Sequence, residues 1–162
     1  MGRISELLRD TVRRVRMTVR NAEHNTGRTT RRTAPPVRAA IPGVQIEYRP
    51  ERDGDPDPGE VVWTWVPFEE DPTLGKDRPV VIVGHHGEDL SGVALTTKRT
   101  GHSTQVEVGS GAWDPKGRPS YAKVDRLLDI EPSSVRREGA ALSRRRFDVV
   151  IEALSRYHDV TR

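Results

Sequence analysis

Cysteine is absent from the 162 residues, which rules out a disulfide framework and thiolate metal sites. Aromatic residues make up only 5% and hydrophobic residues 33%, against 31% charged, so the core has to be small. No apolar run approaches the length that spans a bilayer, and the N-terminus lacks the apolar block of a secretory signal. The expectation is a soluble, cytoplasmic protein with one domain of ordinary size plus extensions. No internal repeat is visible.

Charge is distributed unevenly. Residues 1–38 hold ten arginines against Glu6, Asp10 and Glu23, a net +7; with +3 for the whole chain, the remainder stands at −4. Ile4, Leu7, Leu8, Val12, Val15 and Val19 recur at helical spacing, which predicts a basic amphipathic helix over residues 1–20. Such an arm suits nucleic acid, a membrane surface or a partner; the favoured alternative is a helix packed within its own dimer or one only partly formed. Residues 21–43 are polar, carry Pro35-Pro36 and Pro42-Gly43, and show no periodicity, as in a flexible linker.

From residue 44 to 162 the pattern is that of a β domain. Val44 to Tyr48 alternates as an edge strand, and strands follow near 60–66, 79–84, 91–97, 104–108, 120–124 and 126–130, punctuated by glycine and proline. Short strands at this spacing argue for a barrel or sandwich rather than βαβ units. Glu131-Pro132-Ser133-Ser134 reads as a helix start, and Ser143 as the cap of a final helix. Phe147, Val150, Ile151, Leu154 and Tyr157 mark that helix's apolar face, which is expected to pack across the barrel or, alternatively, against a second copy.

The most informative stretch is a strand–loop–strand. Gly59-Glu60-Val61-Val62-Trp63-Thr64-Trp65-Val66-Pro67 is followed by Gly75-Lys76-Asp77-Arg78-Pro79-Val80-Val81-Ile82-Val83, the two apolar runs being joined by a loop of about ten residues. The loop begins acidic and ends in Lys76 and Arg78, delivering a guanidinium to the mouth of a buried strand, where it suits bidentate capture of phosphate. The next strand, Ser91 to Lys98, ends in the hydroxyls of Thr96 and Thr97. A cation and a hydroxyl at neighbouring strand ends suit a phosphodiester.

This order of elements, continuing through Asp125-Arg126-Leu127-Leu128-Asp129-Ile130 to the last helix, resembles the PemK/MazF family of toxin–antitoxin growth inhibitors over residues 59–154. The resemblance implies a mainly β fold with C-terminal helices, a small SH3-like barrel of the PemK/MazF/CcdB type, here preceded by the basic helix and linker. It implies a homodimer, a cognate antitoxin, and metal-free cleavage of single-stranded RNA with no cofactor. The family's cleavage residues fall on Arg78 and Thr96. The alternatives are a non-catalytic nucleic-acid or protein binding module on the same barrel, and a toxin that inhibits a topoisomerase.

The chemistry is consistent with these residue types. When the ribose 2′-hydroxyl is the nucleophile, the enzyme aligns the attack and stabilises the charged phosphorane. Arg78 suits stabilisation, but with a pKa above about 12 it is a poor base. Base candidates are His85, His86, His102, Glu69, Glu70 and Asp71. Lys76, Thr97, Lys98, Lys116 and Arg118 are candidate RNA contacts. Trp113, in a Gly/Pro-rich loop beside Lys116 and Arg118, is a candidate to stack on a base or receive an antitoxin peptide. Trp63 and Trp65 lie two apart and share a face, for stacking or for core packing. His85 and His86 point to opposite faces of a strand, which argues against a metal pair.

Overall fold

The computed structural model describes residues 43–51 and 53–162, together with a two-residue strand at Arg38–Ala39. In chain order the strands are β1 (Arg38–Ala39), β2 (Val44–Ile46), β3 (Glu60–Pro67), β4 (Gly75–His86), β5 (Asp89–Thr96), β6 (Gln105–Gly109), β7 (Ser120–Lys123), β8 (Leu128–Ile130), β9 (Arg137–Ala141) and β10 (Val160–Thr161). A helix, α1 (Arg144–Leu154), precedes β10. The helix expected over residues 1–20, and most of the linker expected over 21–43, lie outside the described residues. Within that linker, Arg38 and Ala39 pair with Asp129 and Leu128, so this part of it is a strand.

The protein is mainly β, a curled sheet forming a half-barrel with one C-terminal helix. One path runs β1-β8-β5-β4-β2-β10; β3 joins β4 to β9, and β7 joins β5 to β6. β4 holds the arrangement together. Its first half pairs with β3, its second half with β5, and its end with β2.

Val61 to Val66 of β3 and Val80 to Val83 of β4 are nearly continuous apolar runs because both faces of the sheet are covered there. Successive side chains alternate between two clusters. Val61, Val81, Val83, Val93 and Leu95 pack with Phe147, Val150, Ile151 and Leu154 of α1. On the opposite face Val62, Val66, Val80, Ile82 and Ala94 pack with Leu128 and Ile130. The apolar face expected for the last helix is therefore buried, except that Tyr157 lies beyond the helix and is exposed. Ser143 caps α1 as expected, its hydroxyl accepting the Arg146 backbone N–H at 3.4 Å. Tyr48 ties the start of the domain to this helix: its hydroxyl donates to the Leu142 carbonyl at 2.8 Å, and its ring lies 5.0 Å from that of Phe147.

Two glycines are set by close approach. A Cβ at Gly84 would lie 1.9 Å from the Gln45 carbonyl oxygen, so only glycine lets β2 reach β4 there. A Cβ at Gly75 would lie 2.5 Å from the Val66 carbonyl oxygen and 2.7 Å from the Trp65 ring.

Two expectations are corrected. β4 begins at Gly75, so the connecting loop is only Phe68 to Leu74, closed by Phe68 N–H donating to the Leu74 carbonyl at 2.8 Å. Lys76 and Arg78 accordingly sit on a strand, not at a loop's end. The helix expected from Pro132 is a single 3-10 turn, Pro132–Ser134, followed by β9. β3 has an open edge there, and the Arg136 N–H donates to the Trp63 carbonyl at 2.9 Å before the β3–β9 ladder takes over. Pairing to that edge overrides the weak strand preference of Arg-Glu-Gly-Ala-Ala.

Candidate functional site

The β4–β5 ladder stops at Val80 opposite Ala94, while Leu95 and Thr96 continue along β7, opposite Ala122 and Tyr121. Beyond that point β4 and β5 part. The gap holds a cavity of about 200 Å³ bordered by Lys76, Arg78, Thr96, Thr97, Trp113 and Arg118, six of the eight cleavage and RNA-contact candidates named from the sequence. Lys98 and Lys116 are exposed and do not border it. A larger cavity, about 340 Å³, adjoins Val66, Pro67, Glu69, Glu70, Arg78, Ala94, Lys123 and Arg126. Arg78 is common to both.

Arg78 is half-buried, opposite Thr64 in the β3–β4 register. Among the described residues its side chain meets no carboxylate and donates no hydrogen bond. Two of the nearby acids face other cations. Asp77 pairs with Arg136 at 2.9 Å, and Glu69 lies 3.9 Å from Lys123 and 3.8 Å from Arg126. Burial, and then the charge of Arg126, pull the Arg78 guanidinium below its ordinary pKa; burial and Arg78 do the same to Lys76. A cation that is partly desolvated and crowded by like charge favours an incoming anion, which relieves both effects.

Thr96 ends β5, and its hydroxyl oxygen accepts the Lys98 N–H at 3.1 Å. That bond fixes the oxygen while leaving the hydroxyl proton available to a ligand. Glu69 and Glu70 are the base candidates that share a cavity with Arg78. Asp71 instead accepts from Thr73, His85 and His86 lie 3.7 and 3.4 Å from Glu47 and Asp129, and His102 borders a separate cavity of about 150 Å³.

Trp113 is corrected. Its ring is 2% exposed, packed in the cluster under α1, and its indole N–H donates to Ser120 Oγ at 3.0 Å, so no face is open for a base to stack on. Gly111 makes room for the ring, since a Cβ there would lie 2.1 Å from it. Trp65 is likewise buried, and Trp63 half-buried at the smaller cavity. The Trp113 loop is organised by Asp114, which accepts the backbone N–H groups of Lys116 and Arg118 and two bonds from the Arg118 guanidinium, at 2.8 and 3.2 Å. Arg118 is thus an internal partner of Asp114 at the cavity rim.

Chiefly through the Arg118 hydrogen bond, the Asp114 carboxyl is held down to about 2. A folded-state pKa below the unfolded one gives stability that is full above about pH 4 and lost as pH falls through about 2. Trp113 fluorescence is expected to change over this window in the wild type and to lose that transition in Asp114→Asn.

Lys123 and Arg126 were not singled out from the sequence. Arg126 lies within the quoted Asp125–Ile130 segment, where strand patterning drew attention away from its charge. Its Nη1 donates to the Pro67 carbonyl at 2.8 Å, which aims it into the larger cavity. Among the described residues the one grouping with metal-ligand spacing is Glu51, Asp53 and Asp57, which borders neither cavity.

No curated protein matches the chain. Among solved structures, an endoribonuclease in complex with its cognate antitoxin from a mycobacterial species is similar at 20% identity and TM-score 0.49, over 63% of this chain and 93% of that one. A MazE–MazF complex from Deinococcus radiodurans is similar at 18% identity and TM-score 0.49, over 64% and 96%. The family model described as PemK-like, MazF-like toxin of type II toxin-antitoxin system matches residues 57–158. With more than half of its length under that match, the chain belongs to the PemK-like, MazF-like toxin family.

Proposed function

We propose that the protein is a toxin-type endoribonuclease of the cytoplasm that cleaves single-stranded RNA without a metal ion or cofactor. A cognate antitoxin neutralises it, and the active form is a homodimer of SH3-like barrels. The observation that carries this reading is Arg78: a half-buried guanidinium without an acidic partner among the described residues, at the junction of two cavities and across a parted ladder from Thr96.

In this reading the ribose 2′-hydroxyl loses its proton as O2′ bonds to phosphorus. The P–O5′ bond then breaks and O5′ takes up a proton, leaving a 2′,3′-cyclic phosphate and a 5′-hydroxyl. Arg78 holds the phosphoryl oxygens as negative charge builds on them, and Thr96 orients one of them by donation. Glu70, which borders the Arg78 cavity and has no ion pair among the described residues, accepts the 2′ proton. Lys76 and Thr97 line the path of the strand.

The test is incubation of the purified full-length protein with long, varied RNAs in the presence of a chelator. Discrete fragments are expected. Intact RNA across all substrates overturns the nuclease reading, and retained RNA binding in that case would assign the barrel to a binding module.

A further inference from the structure

The larger cavity contains an arrangement that the cleavage scheme does not use. Lys123 at the end of β7 and Arg126 in the turn before β8 both face Glu69 of the β3–β4 loop, at 3.9 and 3.8 Å. All three border the same space as Arg78. Arg126 also grips the start of the loop through the Pro67 carbonyl, so the loop is anchored at one end while its carboxylate lies over two cations.

Three features show that Glu69 occupies this position without being locked into it. Its distances to the cations exceed those of charge-assisted hydrogen bonds, which fall at about 2.7–2.9 Å. Its side chain is 52% exposed, so the pairs are screened and contribute little stability. By contrast Arg126 is only 22% exposed and fixed by its own hydrogen bond, so the cationic floor stays when the carboxylate leaves. A phosphate offers the same two cations a matching anion with more acceptor oxygens.

We propose that Lys123 and Arg126 form a second phosphate subsite next to Arg78, and that Glu69 occupies it in the free protein as a built-in anionic competitor. The arriving RNA backbone displaces Glu69, so that ligand grip and loop position are coupled. This rests on the RNA reading above and identifies where the phosphate beside the scissile one is held.

The experiment measures binding of a fully 2′-O-methylated single-stranded RNA, which cannot be cut, to the full-length protein by fluorescence anisotropy at low salt. Glu69→Gln is expected to lower Kd about three- to tenfold. Lys123→Ala is expected to raise it by a similar factor and to reduce the salt slope by about 0.7, one single-strand phosphate contact. In the Lys123→Ala, Arg126→Lys background the gain from Glu69→Gln should largely vanish. Glu88→Gln, which removes the same charge from the β4–β5 turn, should leave Kd within about twofold.

An unchanged or weakened affinity in Glu69→Gln overturns the proposal. So does an equal gain from Glu88→Gln, or a gain that persists without the cations. Among the described residues the Lys123 side chain makes no hydrogen bond, so its variant remains informative if Arg126→Lys is unstable. Because the strand is uncleavable, these outcomes stand apart from the nuclease assay, where failure to cut would sink the catalytic reading alone.

Discussion

Replacing Arg78 with alanine is expected to lower the rate of RNA cleavage by about two to three orders of magnitude, the usual effect of removing one preorganised donor to a developing oxyanion. The folded state should survive. Arg78 makes no side-chain hydrogen bond or ion pair with described residues, so its removal leaves no orphaned partner. It also relieves the like-charge pressure between Arg78 and Arg126. Thermal unfolding of the variant is therefore expected at or slightly above the wild-type midpoint. Arg78→Lys should fall well short of full activity, because an ammonium keeps the charge but not the planar fork that meets two phosphoryl oxygens. A variant that loses activity by unfolding, seen as a collapsed melting transition, would contradict this assignment.

The largest stability effect is expected from Phe147→Ala. Phe147 is 2% exposed, stacks at a tilt on Tyr48, and anchors α1 to the cluster that includes Val61, Val81, Val93 and Leu95. Truncating a buried phenylalanine costs about 3–5 kcal/mol, and little can collapse into the space because the sheet behind it is fixed by ladders on both sides. Val149 on the same helix is 42% exposed, and Val149→Ala should shift stability by no more than about 0.5 kcal/mol. Chemical denaturation of the two variants measures the contrast. Equal effects would mean that α1 does not cover the core as described.

The parts of the fold that were legible in the sequence are those where a local pattern and the tertiary structure agree. The Val-rich runs of β3, β4 and β5 and the Phe147-Val150-Ile151-Leu154 spacing of α1 are of this kind. Where long-range pairing decided the outcome, the sequence was silent. β9 exists because β3 presents an open edge, and Gly-Lys-Asp-Arg joins β4 because Thr64 to Pro67 pair with it.

The candidate site shows the same division. Thr96 is at a strand end as its sequence suggests, whereas Arg78 lies inside β4, and the parting of β4 from β5 brings both to one cavity. Trp113 misled because a loop rich in glycine and proline reads as solvent-exposed. In the structure Asp114 folds that loop back, and Gly111 lets the ring into the core. Lys123 and Arg126 were invisible because their meaning depends on Glu69, more than fifty residues away in sequence and under 4 Å in space.

The central claim is that the RNA supplies its own nucleophile while Arg78 stabilises the phosphorane. It is tested most directly with an oligoribonucleotide containing one 2′-deoxy sugar at the cleaved position, incubated with the protein and a chelator and analysed by mass spectrometry. The account predicts that the all-ribose strand yields a 2′,3′-cyclic phosphate and a 5′-hydroxyl end, while the strand with the single deoxy sugar stays whole at that bond. Cleavage of the deoxy-containing strand at the same bond, or products ending in 3′-hydroxyl and 5′-phosphate, would contradict it.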